Sequence, residues 1–262
     1  MGIASKKSQT PGKELCITLR HFASYALVFA LLLVPRSFAS EACRSVFASE
    51  PRVVSELIRK NKFVTNRDLV DYGDTLPAGF RESLERLTPD QHWIDLGAGK
   101  AQAQIDYLKS FRNSSQAAFT TAVAYKLDRW FNPPRFNGKL EIREGAFEDQ
   151  ATATWRKADL ITDLFGVISY TRDMTTSLQK CFDLLKLHGE LYLYVTPWAT
   201  QFQIGAEKRG LLEFLSQIPG LRVEGQYGAI KVTKEKDPIV IPPMELVRFR
   251  DEAPPLRSFL VH

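Results

Sequence analysis

The spacing of apolar residues along the chain changes near residue 91. Before it they recur at helical intervals, first Val53, Val54, Leu57 and Ile58, then Phe80, Leu84 and Leu87 on one face. Ser49-Glu50-Pro51 reads as a helix start. A polar break runs from Asn61 to Asp74, Pro77 opens the second helical stretch, and Thr88-Pro89-Asp90 closes it. From His92 onward, short β-rich runs alternate with amphipathic ones. Trp93–Leu96, Phe119–Tyr125, Leu140–Arg143, Ala158–Asp163 and Glu190–Val195 read as strands. Ala101–Phe111 and Met174–Leu187 read as helices, the second stopping at Gly189, and a further helix is expected around Arg209–Gln217. Leu221–Glu224, Ala229–Val232 and Glu245–Phe249 read as late antiparallel strands. This alternation predicts an α/β domain over 91–262 with a doubly wound sheet and a parallel centre, preceded by a helical lead-in or cap over 40–90.

The first 39 residues follow a different pattern. Lys6, Lys7, Lys13, Arg20 and His21 face a single acid, Glu14, and the apolar run Phe22–Val34 follows. Pro35 ends it, and Ser37-Phe38-Ala39 or Ser40-Glu41-Ala42 offers small residues for cleavage. A basic region, a short apolar core and a small-residue exit make a secretory signal peptide, a segment that engages the secretion machinery at a membrane. The run is short of the ~20 residues that span a bilayer comfortably, so a membrane anchor is the alternative reading. Cleavage would export the protein to the periplasm or outside the cell. Without it the protein is membrane-anchored or cytoplasmic. Cys43 and Cys181 survive either cleavage and meet an oxidising compartment if exported.

Composition narrows the picture only a little. A 44% hydrophobic content in 262 residues is enough for a sizeable core. The formal charge of +5 is compatible with a solvated surface, and no arginine-rich run or basic–aromatic ladder favours nucleic acid as a partner. Three scattered cysteines and four scattered histidines lack metal-ligand spacing, so no metal site is expected. Nothing in the chain indicates an oligomeric state.

The candidate chemistry centres on Asp95-Leu96-Gly97-Ala98-Gly99-Lys100-Ala101, at the end of the first strand. In an open α/β sheet the ligand sits there, beyond the carboxyl ends of the strands at the switch point. Glycines let the backbone turn and approach a ligand, and the next helix offers free N–H groups. A dinucleotide fingerprint would need glycine or alanine where Gln102 stands. The acid-x-Gly-x-Gly arrangement instead resembles the class I S-adenosylmethionine-dependent methyltransferases, with Ala101 in place of a third glycine. The resemblance covers about residues 91–250. It implies a seven-stranded, mostly parallel sheet of the methyltransferase type and S-adenosylmethionine as cofactor.

By the same resemblance, the cofactor is held by Asp95, Gly97, Gly99 and Ala101. Phe147 and Glu148 lie in the Glu144–Asp149 loop that meets the adenine, and Asp163 ends the fourth strand at the methionine end. The family's ribose-gripping acid at the end of the second strand is replaced by Tyr125 and Lys126, with Asp128 two residues later. The implied function is an S-adenosylmethionine-dependent methyltransferase acting on a small-molecule or protein acceptor that no motif identifies. The alternative is a catalytically inactive methyltransferase-like module that binds a ligand or a protein. No catalytic residue is singled out, because a dedicated base is needed only for a poorly nucleophilic acceptor. The Asn/Asp-Pro-Pro-Tyr loop of amide and nucleobase methylation is absent; Asp163-Leu164-Phe165-Gly166 stands there, and Phe165 and Tyr170 are candidates to line a substrate slot. His188 is read as part of the turn into the fifth strand.

Overall fold

The computed structural model describes residues 66–127, 130–250 and 254–262. The signal-like segment, the helix expected from Pro51, Cys43 and Asp128 all lie outside the described residues. Among the described residues no helix is long and apolar enough to cross a membrane.

Two short helices lead in. Helix α1 (Leu69–Thr75) falls inside the stretch that reads as a polar break. Asp68 explains it: its carboxylate accepts the N–H groups of Val70 and Asp71, while Asp71 accepts the N–H of Asp68. This reciprocal capping box satisfies the first-turn donors of a helix too short to show an apolar period. Leu69, Val70 and Tyr72 are its buried residues. Helix α2 (Phe80–Glu85) buries Phe80 and Leu84 as the apolar spacing predicts.

The main body is a mixed α/β fold built on β1 (His92–Leu96), β2 (Phe119–Ala124), β3 (Leu140–Glu144), β4 (Ala158–Leu164), β5 (Leu185–Tyr194), β8 (Leu221–Gln226) and β9 (Ala229–Lys234). They form one seven-stranded sheet in the order β3-β2-β1-β4-β5-β9-β8. The first five are parallel, and the β8–β9 hairpin sets β9 antiparallel beside β5 with β8 beyond it in the direction of the first five. This is the mostly parallel, seven-stranded arrangement expected for the methyltransferase type. The chain reverses direction across the sheet between β1 and β4, which makes that gap the switch point.

Helix α3 (Gln102–Lys109) joins β1 to β2; α4 (Val167–Tyr170) and α5 (Met174–Leu184) join β4 to β5. Residues alternate across the strands and so build two cores. Trp93, Leu160, Leu164 and Tyr192 pack with Tyr72, Phe80, Leu84, Tyr107 and Leu108 from the lead-in and α3. Ile94, Leu96, Ile161, Leu191 and Leu193 pack against Leu178, Cys181 and Phe182 of α5 on the other face. The β2–β3 and β3–β4 crossovers carry only short 3-10 turns among the described residues.

Two features differ from the expectation. Helix α5 ends at Leu184, and the segment up to Gly189 already belongs to β5. The register with β4 shifts between Ala158 and Leu160, and His188 takes φ +63 within the irregularity. Gly189 therefore serves a bulge, where an added Cβ would lie 2.8 Å from Leu185 Cδ1, and not a helix stop. The second difference is a separate four-stranded sheet in the order β10-β11-β6-β7, from β6 (Thr200–Ile204), β7 (Glu207–Arg209), β10 (Met244–Arg250) and β11 (Leu256–Val261). The strand expected at Glu245–Phe249 forms, antiparallel to β11, but in this sheet. Phe202 of β6 stacks on Phe214 of α6 (Leu211–Leu215) and on Phe259 of β11, joining this sheet to the α5-side core.

Candidate functional site at the switch point

The turn after β1 takes its shape from backbone conformation. Gly97 has φ +79 and Gly99 φ +57, where glycine carries no Cβ penalty. The N–H groups of Gly97 and Ala98 both donate to Val123 O of β2, at 2.9 and 2.8 Å. A Cβ on Gly97 would lie 2.3 Å from Gly166 Cα, so the turns after β1 and β4 meet backbone to backbone. Ala101, at the third-glycine position, holds φ +55 ahead of α3. A left-handed alanine costs on the order of 1 kcal/mol against glycine, a strain the surrounding turn carries. The Gly99 N–H donates to no backbone carbonyl among the described residues.

Asp95 is fully buried behind this turn. Its Oδ2 accepts Tyr72 Oη at 2.7 Å and Gln104 Nε2 at 2.6 Å, and its Oδ1 accepts Thr162 Oγ1 at 2.7 Å. Thr162 in turn accepts the Trp93 indole N–H at 2.9 Å. Burial raises the Asp95 carboxyl to about 6, against the lowering effect of these three donors. The acid thus ties β1 to β4, α3 and the lead-in. Gln104 Oε1 is buried and has no hydrogen-bond partner among the described residues.

Asp163 points to the other face of the sheet. Its carboxylate accepts the N–H of Gly166 at 2.7 Å and of Ile168 at 2.8 Å, which caps the turn into α4. Burial, reinforced by the charge of Asp95, raises this carboxyl to about 7. The two acids are therefore not brought into one cleft, since alternation along the strands sends them to opposite sides.

Phe147 is buried in the α5-side core beside Trp155, with ring centroids 6.1 Å apart. Glu148 is half-buried and accepts the Thr171 hydroxyl. At the tip of β2, Tyr125 is 58% exposed and Lys126 is exposed. A carboxylate does stand at that tip: Glu144, from the end of β3, accepts the Leu127 N–H at 3.0 Å. Phe165 takes φ +50 and meets Tyr194 edge to face at 4.9 Å.

No family model and no curated protein matches the chain. Solved structures do. MNMC2 from Aquifex aeolicus is 16% identical over 63% of this chain and 57% of its own length, with a TM-score of 0.38. A precorrin-6y C5,15-methyltransferase from Geobacter metallireducens is 14% identical over 58% of this chain and 82% of its own, with a TM-score of 0.36. A putative protein-L-isoaspartate O-methyltransferase from Plasmodium falciparum, in complex with S-adenosyl-L-homocysteine, is 13% identical over 61% of this chain and 71% of its own, with a TM-score of 0.33. The chain thus spans less than two thirds of the first of these proteins.

Sequence reasoning misses two side chains here. Arg67 donates to Leu164 O at 2.7 Å and lies over the Phe165 ring at 5.3 Å, so it sets a cation at the tip of β4. It lies in the apparent polar break, where nothing distinguishes it. Tyr72, the donor to Asp95, is hidden in the same stretch. No described histidine stands at this site. His92 and His188 are at the opposite ends of their strands, with His92 held between Arg156 O and Thr121 Oγ1.

Proposed function

We propose that the chain binds S-adenosylmethionine at the turn between β1 and α3 and acts as a methyltransferase. The observation that carries this reading is the acid-x-Gly-x-Gly turn at the switch point between β1 and β4 of the seven-stranded sheet, where open α/β sheets take their ligands. The donor set suits the amino-acid end of such a cofactor. The Gly99 N–H and the start of α3 offer donors to a carboxylate, and the unpartnered Gln104 Oε1 offers an acceptor to an ammonium. Glu144 stands in for the missing acid at the end of β2 and is the candidate to accept ribose hydroxyls.

When bound, the cofactor supplies an activated methyl group on a sulfonium. The chain's own part is alignment and exclusion of water. Asp95 fixes the turn from behind through its three donors. Arg67 and the capped α4 turn shape the wall at β4. The acceptor would enter beside Phe165 and Tyr170, where no described histidine stands, and an acceptor that is already a competent nucleophile needs no dedicated base.

The second reading, an inactive ligand- or protein-binding module, is favoured by one observation: Tyr125 and Lys126 occupy the ribose-acid position. Calorimetric titration of the full chain with S-adenosylhomocysteine tests the cofactor site on which the first reading depends. Saturable binding is expected, weakened about tenfold by Glu144→Gln and strengthened by Tyr125→Asp, which installs an acid at the tip of β2. No heat and no thermal stabilisation at millimolar ligand would remove the methyltransferase reading.

A further inference from the structure

The outward face of the second sheet carries a hollow lined by none of the switch-point residues. Its inward face is committed to the core through Phe202 and Phe259. The strand register fixes what stands on the other side. Arg248 of β10 lies opposite Ser258 of β11, which lies opposite Gln201 of β6. Gln203, two residues along β6, lies opposite Lys208 of β7. A bulge at Val247 shifts the register of β10, and it places two consecutive residues, Val247 and Arg248, on the hollow. The six residues line a cavity of about 130 Å³.

The lining holds two cations, two amides, a hydroxyl and one valine, and no carboxylate. Its cations contrast with the arginine beside them. Arg209, next to Lys208 on β7, is paired with Glu207. Lys208 and Arg248 have neither an ion pair nor a hydrogen bond among the described residues. The acid on the same outward rows, Glu245, does not line the cavity and faces His262 at 3.8 Å. Two unpaired cations beside a hollow ringed with neutral donors suit a compact anion with several oxygens, because guanidinium and ammonium supply charge while the amides and the hydroxyl supply directed hydrogen bonds. The strand beneath is anchored: Arg257, beside Ser258 on the buried face, donates to Ile168 O, Thr171 O and Thr200 Oγ1.

We propose that this hollow is a phosphate-binding site, recognising a phosphate group carried either by a small phosphorylated molecule or by a nucleic-acid backbone. Titration of the full chain with inorganic pyrophosphate, and separately with a short single-stranded oligonucleotide, tests it. Saturable binding is expected, falling as salt rises, and reduced about tenfold or more in the Lys208→Gln/Arg248→Gln double variant. Both side chains are solvent-facing and unpaired, so the variant should melt with the wild type, which thermal unfolding checks. Tighter binding of pyrophosphate points to a small phosphorylated ligand, and tighter binding of the oligonucleotide to a phosphodiester backbone. Absence of binding to both, or equal affinity in the double variant, overturns the site. Binding that disappears when the protein is saturated with S-adenosylhomocysteine overturns it too, by placing the anion at the turn after β1.

Discussion

Asp95 and Asp163 are both fully buried carboxyls, and both work against desolvation. A carboxyl whose folded pKa is raised gives stability that is full below its unfolded pKa, near 4, and lost as pH rises through its folded value. For these two the window runs from about 4 up through about 6 for Asp95 and about 7 for Asp163. The wild type should therefore lose stability between pH 5 and pH 8. Asp163→Asn keeps an acceptor for the Gly166 or Ile168 N–H and removes the buried charge. Urea denaturation of both proteins at the two pH values should show the loss smaller in the variant, by on the order of 2 kcal/mol. Equal losses would mean that Asp163 ionises without penalty. Asp95 shows how a residue can be placed next to the turn by the sequence while its contacts remain invisible. Its position follows from the Gly-x-Gly spacing, but Tyr72, Gln104 and Thr162 come from three different elements.

At the scale of elements, the lead-in is part of the core and not an appendage. Phe80 of α2 is 1% exposed, with ring centroids 6.3 Å from Tyr72, 6.4 Å from Trp93 and 5.7 Å from Tyr192. Phe80→Ala should cost roughly 3 to 5 kcal/mol, the usual range for emptying such a site, and a shift in the urea midpoint measures it. A cost below about 1 kcal/mol would show that α2 is only loosely docked. Its apolar spacing makes α2 legible in the sequence. Helix α1 is not, because two turns held by a capping box leave a pattern rich in aspartate that reads as a loop. The early end of α5 has a similar cause. Leu184 and Leu185 are apolar and adjacent, so periodicity alone cannot say that the first closes a helix and the second opens a strand.

At the scale of the whole molecule, the two sheets share one core. Phe202, Phe214 and Phe259 pack with Leu178, Phe182 and Leu193 in a single cluster. Arg257 reaches from β11 to the carbonyls of the α4 segment. The second sheet and the main sheet should therefore unfold together. Far-UV circular dichroism and tryptophan fluorescence are expected to give coincident denaturation curves. Tryptophan reports mainly on the main sheet, where Trp93 is buried, so a separate transition seen by only one probe would show that the sheets are independent.

The sequence by itself determined the strand–helix alternation from residue 92, the α/β class and the place of the glycine turn. Each rests on local periodicity or on a backbone conformation that specific residues permit. Tertiary structure alone decided that the late strands divide between two sheets, because strand pairing depends on contacts far apart in sequence. It alone also decided that Asp95 and Asp163 face opposite ways, that Glu144 reaches the tip of β2, and that Arg67 stands at the tip of β4. Strand pairing, side-chain direction and burial belong to the packed chain, and no run of adjacent residues encodes them.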